Sequence, residues 1–273
     1  MDACPWGTNE LKRLGVHIRD ETPPGSDHPS YGEVMAWYND LAASVQRRIS
    51  GLDWPPLLRE RPFEVTSRAK TIDTLRQKLR RHPTYKLPTV QDIAGVRFEA
   101  EMSLDEQDAV VNAICGVYDH DISTCVQDMR DEPHSGYRAV HIWLRLPQRV
   151  EVQVRTHLQG EWANMYEAAA DVFGRGIRYD ELPEDEGRRE VVEALRELST
   201  VRISSIEWNR NEAASIDLRL EDDARRGIRT VSEEDRLRLD QLKSRGLRDE
   251  QSLQQSIAKL REFFIGVREG RGS

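Results

Sequence analysis

The stretch from Tyr137 to Thr156 constrains the fold more than any other part of the chain, because its apolar residues alternate. Alternation puts Val150, Val152 and Val154 on one face of a strand and Glu151, Gln153 and Arg155 on the other. On the preceding strand Val140, Ile142 and Leu144 form the buried set, which leaves Tyr137, His141 and Trp143 on the polar side. A two-residue turn at Pro147 and Gln148 would pair Leu144 with Glu151 and mix the faces. A three-residue loop of Leu146, Pro147 and Gln148 instead pairs Trp143 with Glu151 and His141 with Gln153, so face parity favours it. A glutamate, a glutamine, an arginine and a histidine on one sheet face mark either a site or the solvated side of a half-exposed antiparallel sheet.

Around this hairpin the hydrophobic period switches repeatedly, which defines a mixed α/β (α+β) domain over 63–180. Its expected elements are a helix near Thr71 to Arg81, a strand GVRFEA, a helix opened by the capping box Ser103-x-x-Glu106, and strands from Ile122 (ISTCVQ), Tyr137 and Arg149. The last strand runs into a helix carrying Trp162, Met165, Ala169 and Phe173. Before this domain, residues 1–62 form an N-terminal helical segment, with an amphipathic helix from Tyr31 to Ile49 and a turn at Pro55, Pro56 and Pro62. After it, 181–273 reads as a helical extension: Val191 to about Leu218, Glu233 to Leu242, and Asp249 to about Val267. The segment DDARRGIRTVSEED is the expected mobile connection within it. The stripe from Leu253 to Phe264 suits oligomerisation, binding of a partner or packing on the 63–180 domain, with packing the default.

Composition narrows the function classes. Hydrophobic residues at 38% and charged residues at 32%, both signs interspersed, give a core-forming chain rather than a disordered or fibrous one. The apolar run from Ala109 to Tyr118 is well short of the roughly 18–20 residues needed to span a bilayer, and the N-terminus lacks a basic-then-apolar signal. The expected location is cytoplasmic, with no membrane partner. Cys4, Cys115 and Cys125 lack metal-ligand spacing, and their odd number argues for reduced, structural thiols. A net charge of −8 disfavours wholesale coating of nucleic acid but allows a local cationic patch for phosphates.

Such a patch is written in TSRAKTIDTLRQKLRR. Thr74 and Lys78 lie one helical turn apart, with Arg68 and Lys70 at the helix entrance and Thr71 placed to cap it. The free helix N-terminus adds backbone donors, so the ledge suits a triphosphate; a merely solvated basic face is the plainer alternative. Downstream, Asp92 precedes the strand carrying Val96 and Phe98, and Gly95 permits close backbone approach. Asp92 and Glu151 are hard oxygen donors that could share Mg²⁺, although Asp92 could equally cap a turn.

In order and spacing, SRAKTIDTLRQKL, DIAGVRF, HSGYRAVH, and VEVQVRT followed by EWANMYE resemble the synthetase domain of RelA/SpoT-type alarmone synthetases. The later GRGIRY resembles the stand-alone, small alarmone synthetase-like members. The resemblance implies a nucleotidyltransferase-like fold and transfer of the β,γ-pyrophosphate of ATP to the 3′-hydroxyl of GDP or GTP, releasing AMP. It implies that Arg68, Lys70, Thr74, Lys78 and Arg97 hold the ATP phosphates and that Asp92 binds Mg²⁺. Tyr137 would then stack on the acceptor base, and His141, Gln153 and Arg155 would line the acceptor pocket. Glu151 would bind metal or help deprotonate the attacking hydroxyl.

One departure bears on the acceptor. Guanosine-specific members commonly carry a lysine before the Gly-Tyr turn, where this chain has Glu132, Pro133 and His134; Arg130 or Arg138 is the candidate substitute. Two rival readings therefore stand beside guanosine tetraphosphate synthesis. One is a toxic relative acting on the tRNA 3′ end or adenosine nucleotides, with an antitoxin as partner; the other is a catalytically silent nucleotide- or RNA-binding module. No hydrolase domain is expected, since only residues 1–62 precede the synthetase blocks and His120-Asp121 stands alone.

Overall fold

Five strands form the sheet that carries the hairpin, and its register follows from face parity. In the computed structural model, which describes residues 3–23, 29–227 and 233–270, β4 (Val140–Arg145) and β5 (Arg149–Thr156) are antiparallel. Trp143 lies opposite Glu151 and His141 opposite Gln153, and the connecting loop is Leu146 to Gln148. Keeping one parity on one face leaves Ile142, Leu144, Val150, Val152 and Val154 fully buried. The other strands are β1 (Phe63–Ala69), β2 (Ala94–Ala100) and β3 (Val126–Asp128), and the order across the mixed sheet is β1-β2-β5-β4-β3. The α+β class expected from the sequence is therefore the observed one.

The helices are α1 (Thr8–Asp20), α2 (Tyr31–Ser50), α3 (Pro55–Leu58), α4 (Ile72–Arg81), α5 (Leu104–Val117), α6 (Ile122–Cys125), α7 (His157–Phe173), α8 (Glu186–Glu197), α9 (Ser204–Arg225) and α10 (Glu233–Arg268). A π-helical stretch from Leu198 to Ile203 joins α8 to α9. The chain divides into two compact units that alternate along the sequence. Met1–Ala100, Val110–Asp128 and Val140–Val154 make the first; Glu101–Ala109, Met129–Ala139 and Arg155–Ser273 make the second.

In the first unit α2 packs on β1 and β2, and its Val34, Val45 and Ile49 are buried to 1% exposure or less. Trp54 packs edge-on against Phe98, with ring centroids 4.8 Å apart, and its indole donates to the carbonyl of Ile49. Gly95 lies opposite Arg68, and a Cβ there would come 3.1 Å from the Arg68 carbonyl oxygen, so a side chain would have to push the two strands apart by a few tenths of an ångström. In the second unit α7 packs on α10 around Trp162, Met165, Ile257 and Phe264. A separate cluster of Ala213, Ile216, Leu239 and Leu242 joins α9 to α10.

Several boundaries differ from the sequence reading. The strand expected from Ile122 begins as α6, because the Asp121 carboxylate accepts from the Ser123 amide and hydroxyl at 2.9 and 2.8 Å and caps a helical turn; only Val126–Asp128 is strand. The strand expected from Tyr137 starts at Val140, since Gly136 adopts a positive φ of 83° and the Tyr137 amide turns back to the His134 carbonyl. The two helices expected after Glu233 are one, α10. An internal glycine such as Gly246 costs a helix only about 1 kcal/mol, less than the burial of Leu239 and Leu242 before it and Ile257 and Phe264 after it returns. β1 and α1 were not among the expected elements, although Leu11, Leu14 and Ile18 carry a helical period. The expected mobile connection falls partly on 228–232, outside the described residues.

Candidate functional site

In the first unit the cationic ledge forms around one carboxylate. Lys70 follows β1 and Lys78 sits in the last turn of α4, and both ammonium groups donate to Asp92, at 2.6 and 2.8 Å. Asp92 precedes β2, so strand pairing and a single helix suffice to bring the three together. Burial pushes the Asp92 carboxyl up, but the two lysines more than reverse this and hold it below its ordinary value. Thr71 is the N-cap of α4, as its position suggests, and its side chain accepts from the Thr74 amide. The Thr74 hydroxyl is turned into that cap, donating to the Thr71 carbonyl at 2.9 Å. Arg68 lies on β1 and Arg97 on β2, where Arg97 pairs with Thr66 in the ladder.

A second polar group of this unit lies on β4 and β5. His141 Nδ1 is 3.2 Å from Glu151 Oε1, and Gln153 Nε2 donates to Glu151 Oε2 at 2.8 Å. Glu151 is only 8% exposed, so an unpartnered charge there would be costly. Burial raises its carboxyl; the hydrogen bond and charge of His141, with the Gln153 amide, outweigh both that effect and the repulsion of Asp92 and leave it lowered. Glu151 and Asp92 are both ionised near neutral pH. Beside Glu151, the indole Nε1 of Trp143 is buried with no hydrogen-bond partner among the described residues.

In the second unit Tyr137 and Arg155 form a pair of their own. Arg155 donates to the Tyr137 hydroxyl at 2.6 Å, and its guanidinium carbon lies 5.0 Å from the ring centroid. The loop that carries Tyr137 is fixed from several sides. The Ser135 amide and hydroxyl donate to Asp180 Oδ1 at 3.0 and 2.8 Å, and His134 Nδ1 is 2.5 Å from Asp180 Oδ2. A Cβ on Gly136 would lie 3.1 Å from both the Trp162 ring and the Arg196 Cα. Arg138, the substitute weighed for the acceptor lysine, is 4% exposed and donates to Glu207 Oε2 at 2.5 Å, so its charge is buried against its own counter-ion. Arg130 bonds Asp108 at 2.6 Å.

Sequence reasoning missed the partners that lie far along the chain, Glu207 and Asp180 among them. No local period marks them. His120 and Asp121 have structural duties: His120 Nε2 accepts from the Arg145 amide at 2.9 Å, and Asp121 caps α6. Cys115 and Cys125 are buried free thiols with sulfurs 3.5 Å apart; burial, then the contact with Cys125, pushes the Cys115 thiol up to about 12. Among the described residues no helix is long and apolar enough to cross a membrane.

The sheet and its helices define a fold class shared with solved proteins. The crystal structure of the small alarmone synthetase 1 from Bacillus subtilis matches with a TM-score of 0.51 over 71% of this chain and 98% of that one, at 22% identity. A second structure of that synthetase, bound to its product pppGpp, matches with a TM-score of 0.51 over 67% of this chain and 98% of that one, at 21% identity. Residues 67–172 match the family described as a region found in RelA / SpoT proteins. Over 195 residues the chain is 52% identical to Uncharacterized protein Rv1366 of Mycobacterium tuberculosis, covering 71% of this chain and 70% of the relative. GTP pyrophosphokinase YjbM of Bacillus subtilis is 28% identical over 116 residues, 38% of this chain and 54% of that one. The chain belongs to the RelA/SpoT family.

Proposed function

We propose that the protein transfers the β,γ-pyrophosphate of ATP to the 3′-hydroxyl of a guanosine nucleotide, GDP or GTP. The observation that supports this most is the convergence of Lys70 and Lys78 on an ionised Asp92, two cations suited to phosphate gathered at a carboxylate suited to a metal ion. In this reading the acceptor 3′-oxygen attacks the β-phosphorus of ATP, the bond from that phosphorus to the α,β-bridging oxygen breaks, and AMP leaves. The hydroxyl proton passes to Glu151, whose carboxylate is held ionised and aimed by His141 and Gln153. Transfer of this kind needs alignment and charge neutralisation more than covalent help, and that is the work of Arg68, Lys70, Thr74, Lys78 and Arg97.

Asp92 and Glu151 fit Mg²⁺, which takes one or two carboxylates and completes its shell with phosphate oxygens and water; both are ionised and electrostatically coupled. When bound, the ion neutralises phosphate charge. Lys70 and Lys78 then exchange Asp92 for phosphate oxygens. Tyr137 offers its ring to the acceptor base while Arg155 holds the phenol, and His141 and Gln153 hold Glu151 for the acceptor. The test is a transfer assay with γ-labelled ATP and Mg²⁺, offering GDP, GTP, AMP, ATP and deacylated tRNA in parallel, with Glu151→Gln as control. Label on GDP or GTP is expected. Label on tRNA or an adenosine nucleotide would replace this reading with that of a toxic relative, and no label with no ATP binding would leave a binding module.

A further inference from the structure

The C-terminal helices carry a residue that touches both neighbours of the Tyr137–Arg155 pair. Glu207, on α9, is 3% exposed and spends its two oxygens on different segments. Oε2 accepts from Arg138 at 2.5 Å, and Oε1 accepts from the Thr156 hydroxyl at 2.5 Å. Arg138 is the residue after Tyr137, and Thr156 is the residue after Arg155. One carboxylate therefore ties the two backbone segments that present the pair, across sequence gaps of 69 and 51 residues. Each segment is fixed once more: Arg138 Nε donates to the Arg130 carbonyl at 3.1 Å, and Thr156 caps α7 by accepting from the Gln159 amide at 3.2 Å.

We infer that Glu207 is a positioning residue for the acceptor, fixing the distance between the Tyr137 ring and the Arg155 guanidinium. This rests on the reading of Tyr137 as the surface on which the acceptor base stacks. A stacking ring held at a fixed place loses little freedom when the base arrives, so a buried charge-assisted clamp behind it acts on acceptor affinity. The helical extension is thereby part of the acceptor-binding machinery rather than packing alone.

Glu207→Gln tests this, because the amide keeps the shape and one acceptor oxygen while removing the charge. Two readouts are compared with wild type: hydrogen–deuterium exchange of residues 134–139 and 154–157, and the KM values for GDP, GTP and ATP. The expected result is a rise in exchange that is largest in those two segments, above the general rise that lost stability brings, and an acceptor KM raised about tenfold, with the KM for ATP within about twofold of wild type. Unchanged exchange there, or acceleration spread evenly over α7, α9 and α10, would overturn the inference, since the latter is what a purely structural loss produces. Tyr137→Ala separates the two claims: an unaltered acceptor KM in that variant sinks the stacking role, whereas a raised one with Glu207→Gln at wild-type values sinks the clamp alone. If Glu207→Gln does not fold, Glu207→Asp, which keeps the charge but cannot reach both partners, carries the same readouts. If neither nucleotide accepts label, the exchange pattern still decides whether Glu207 holds the pair.

Discussion

The ledge around Asp92 and the buried network around Arg138 use the same chemistry, carboxylate against cation, to opposite ends. Lys70, Lys78 and Asp92 keep 19%, 30% and 23% of their side chains exposed, so their pairs are screened and exchangeable. Arg138 and Glu207 keep 4% and 3%, and neither charge has anywhere else to go. Exposure thus separates a group that can release its partner to a ligand from one that must keep it. Substitutions in the first should act on rate and binding, and substitutions in the second on stability and positioning.

The largest expected effect lies outside both groups, at Glu151, which is buried against His141 and Gln153. Glu151→Gln should lower transfer by about 10²–10⁴-fold with the circular-dichroism melt little changed, and a fully active variant would refute the site assignment. Next, Arg138→Met alone should cost about 3–5 kcal/mol in urea unfolding, because Glu207 is left buried without a counter-charge. Adding Glu207→Leu should recover most of that loss, while equal instability of the single and double variants would mean that packing, not charge, dominates there. Gly136→Ala should cost about 1–3 kcal/mol, since φ is 83° and the new methyl meets Trp162 and the Arg196 backbone; a melt like wild type would show that the loop can shift.

Smaller effects are expected on the ledge. Lys70→Ala should change stability by no more than about 1 kcal/mol while weakening ATP binding about tenfold in calorimetric titration, and the reverse pattern would break the contrast. The weakest signal is the acid response. Asp92 has a folded-state carboxyl held below its ordinary value of 3.8, so its contribution is fully present above that value and is lost as pH falls through the lowered one. Asp92→Asn should accordingly flatten the stability profile below about pH 4 and leave it unchanged near neutrality apart from a constant offset.

What could be read from the sequence followed the range of the interactions. The β4–β5 register was legible because a one-residue slip would turn Glu151 onto the apolar face and Val152 off it, and the Thr71 cap and the Ser103–Glu106 box were legible because each closes within one helical turn. The strand expected at Ile122 failed because Asp121 offers a cap that outweighs a short apolar alternation. The expected break in α10 failed because tertiary burial outweighs the cost of Gly246. For the candidate site, the sequence named Lys70, Lys78 and Asp92, which the fold joins, and His141, Glu151 and Gln153, which it also joins. It offered Arg130 or Arg138 as the acceptor contact without seeing the buried partner of Arg138, which lies 69 residues away on a helix whose polar positions all look alike.

The most direct measurement is phosphorus NMR of the products from ATP, Mg²⁺ and GDP or GTP. AMP and a guanosine nucleotide bearing a new 3′-diphosphate, formed in equal amounts and absent with Glu151→Gln, are the expected species. ADP formed in place of AMP, or AMP with free pyrophosphate and an unmodified acceptor, would contradict pyrophosphate transfer by this chain.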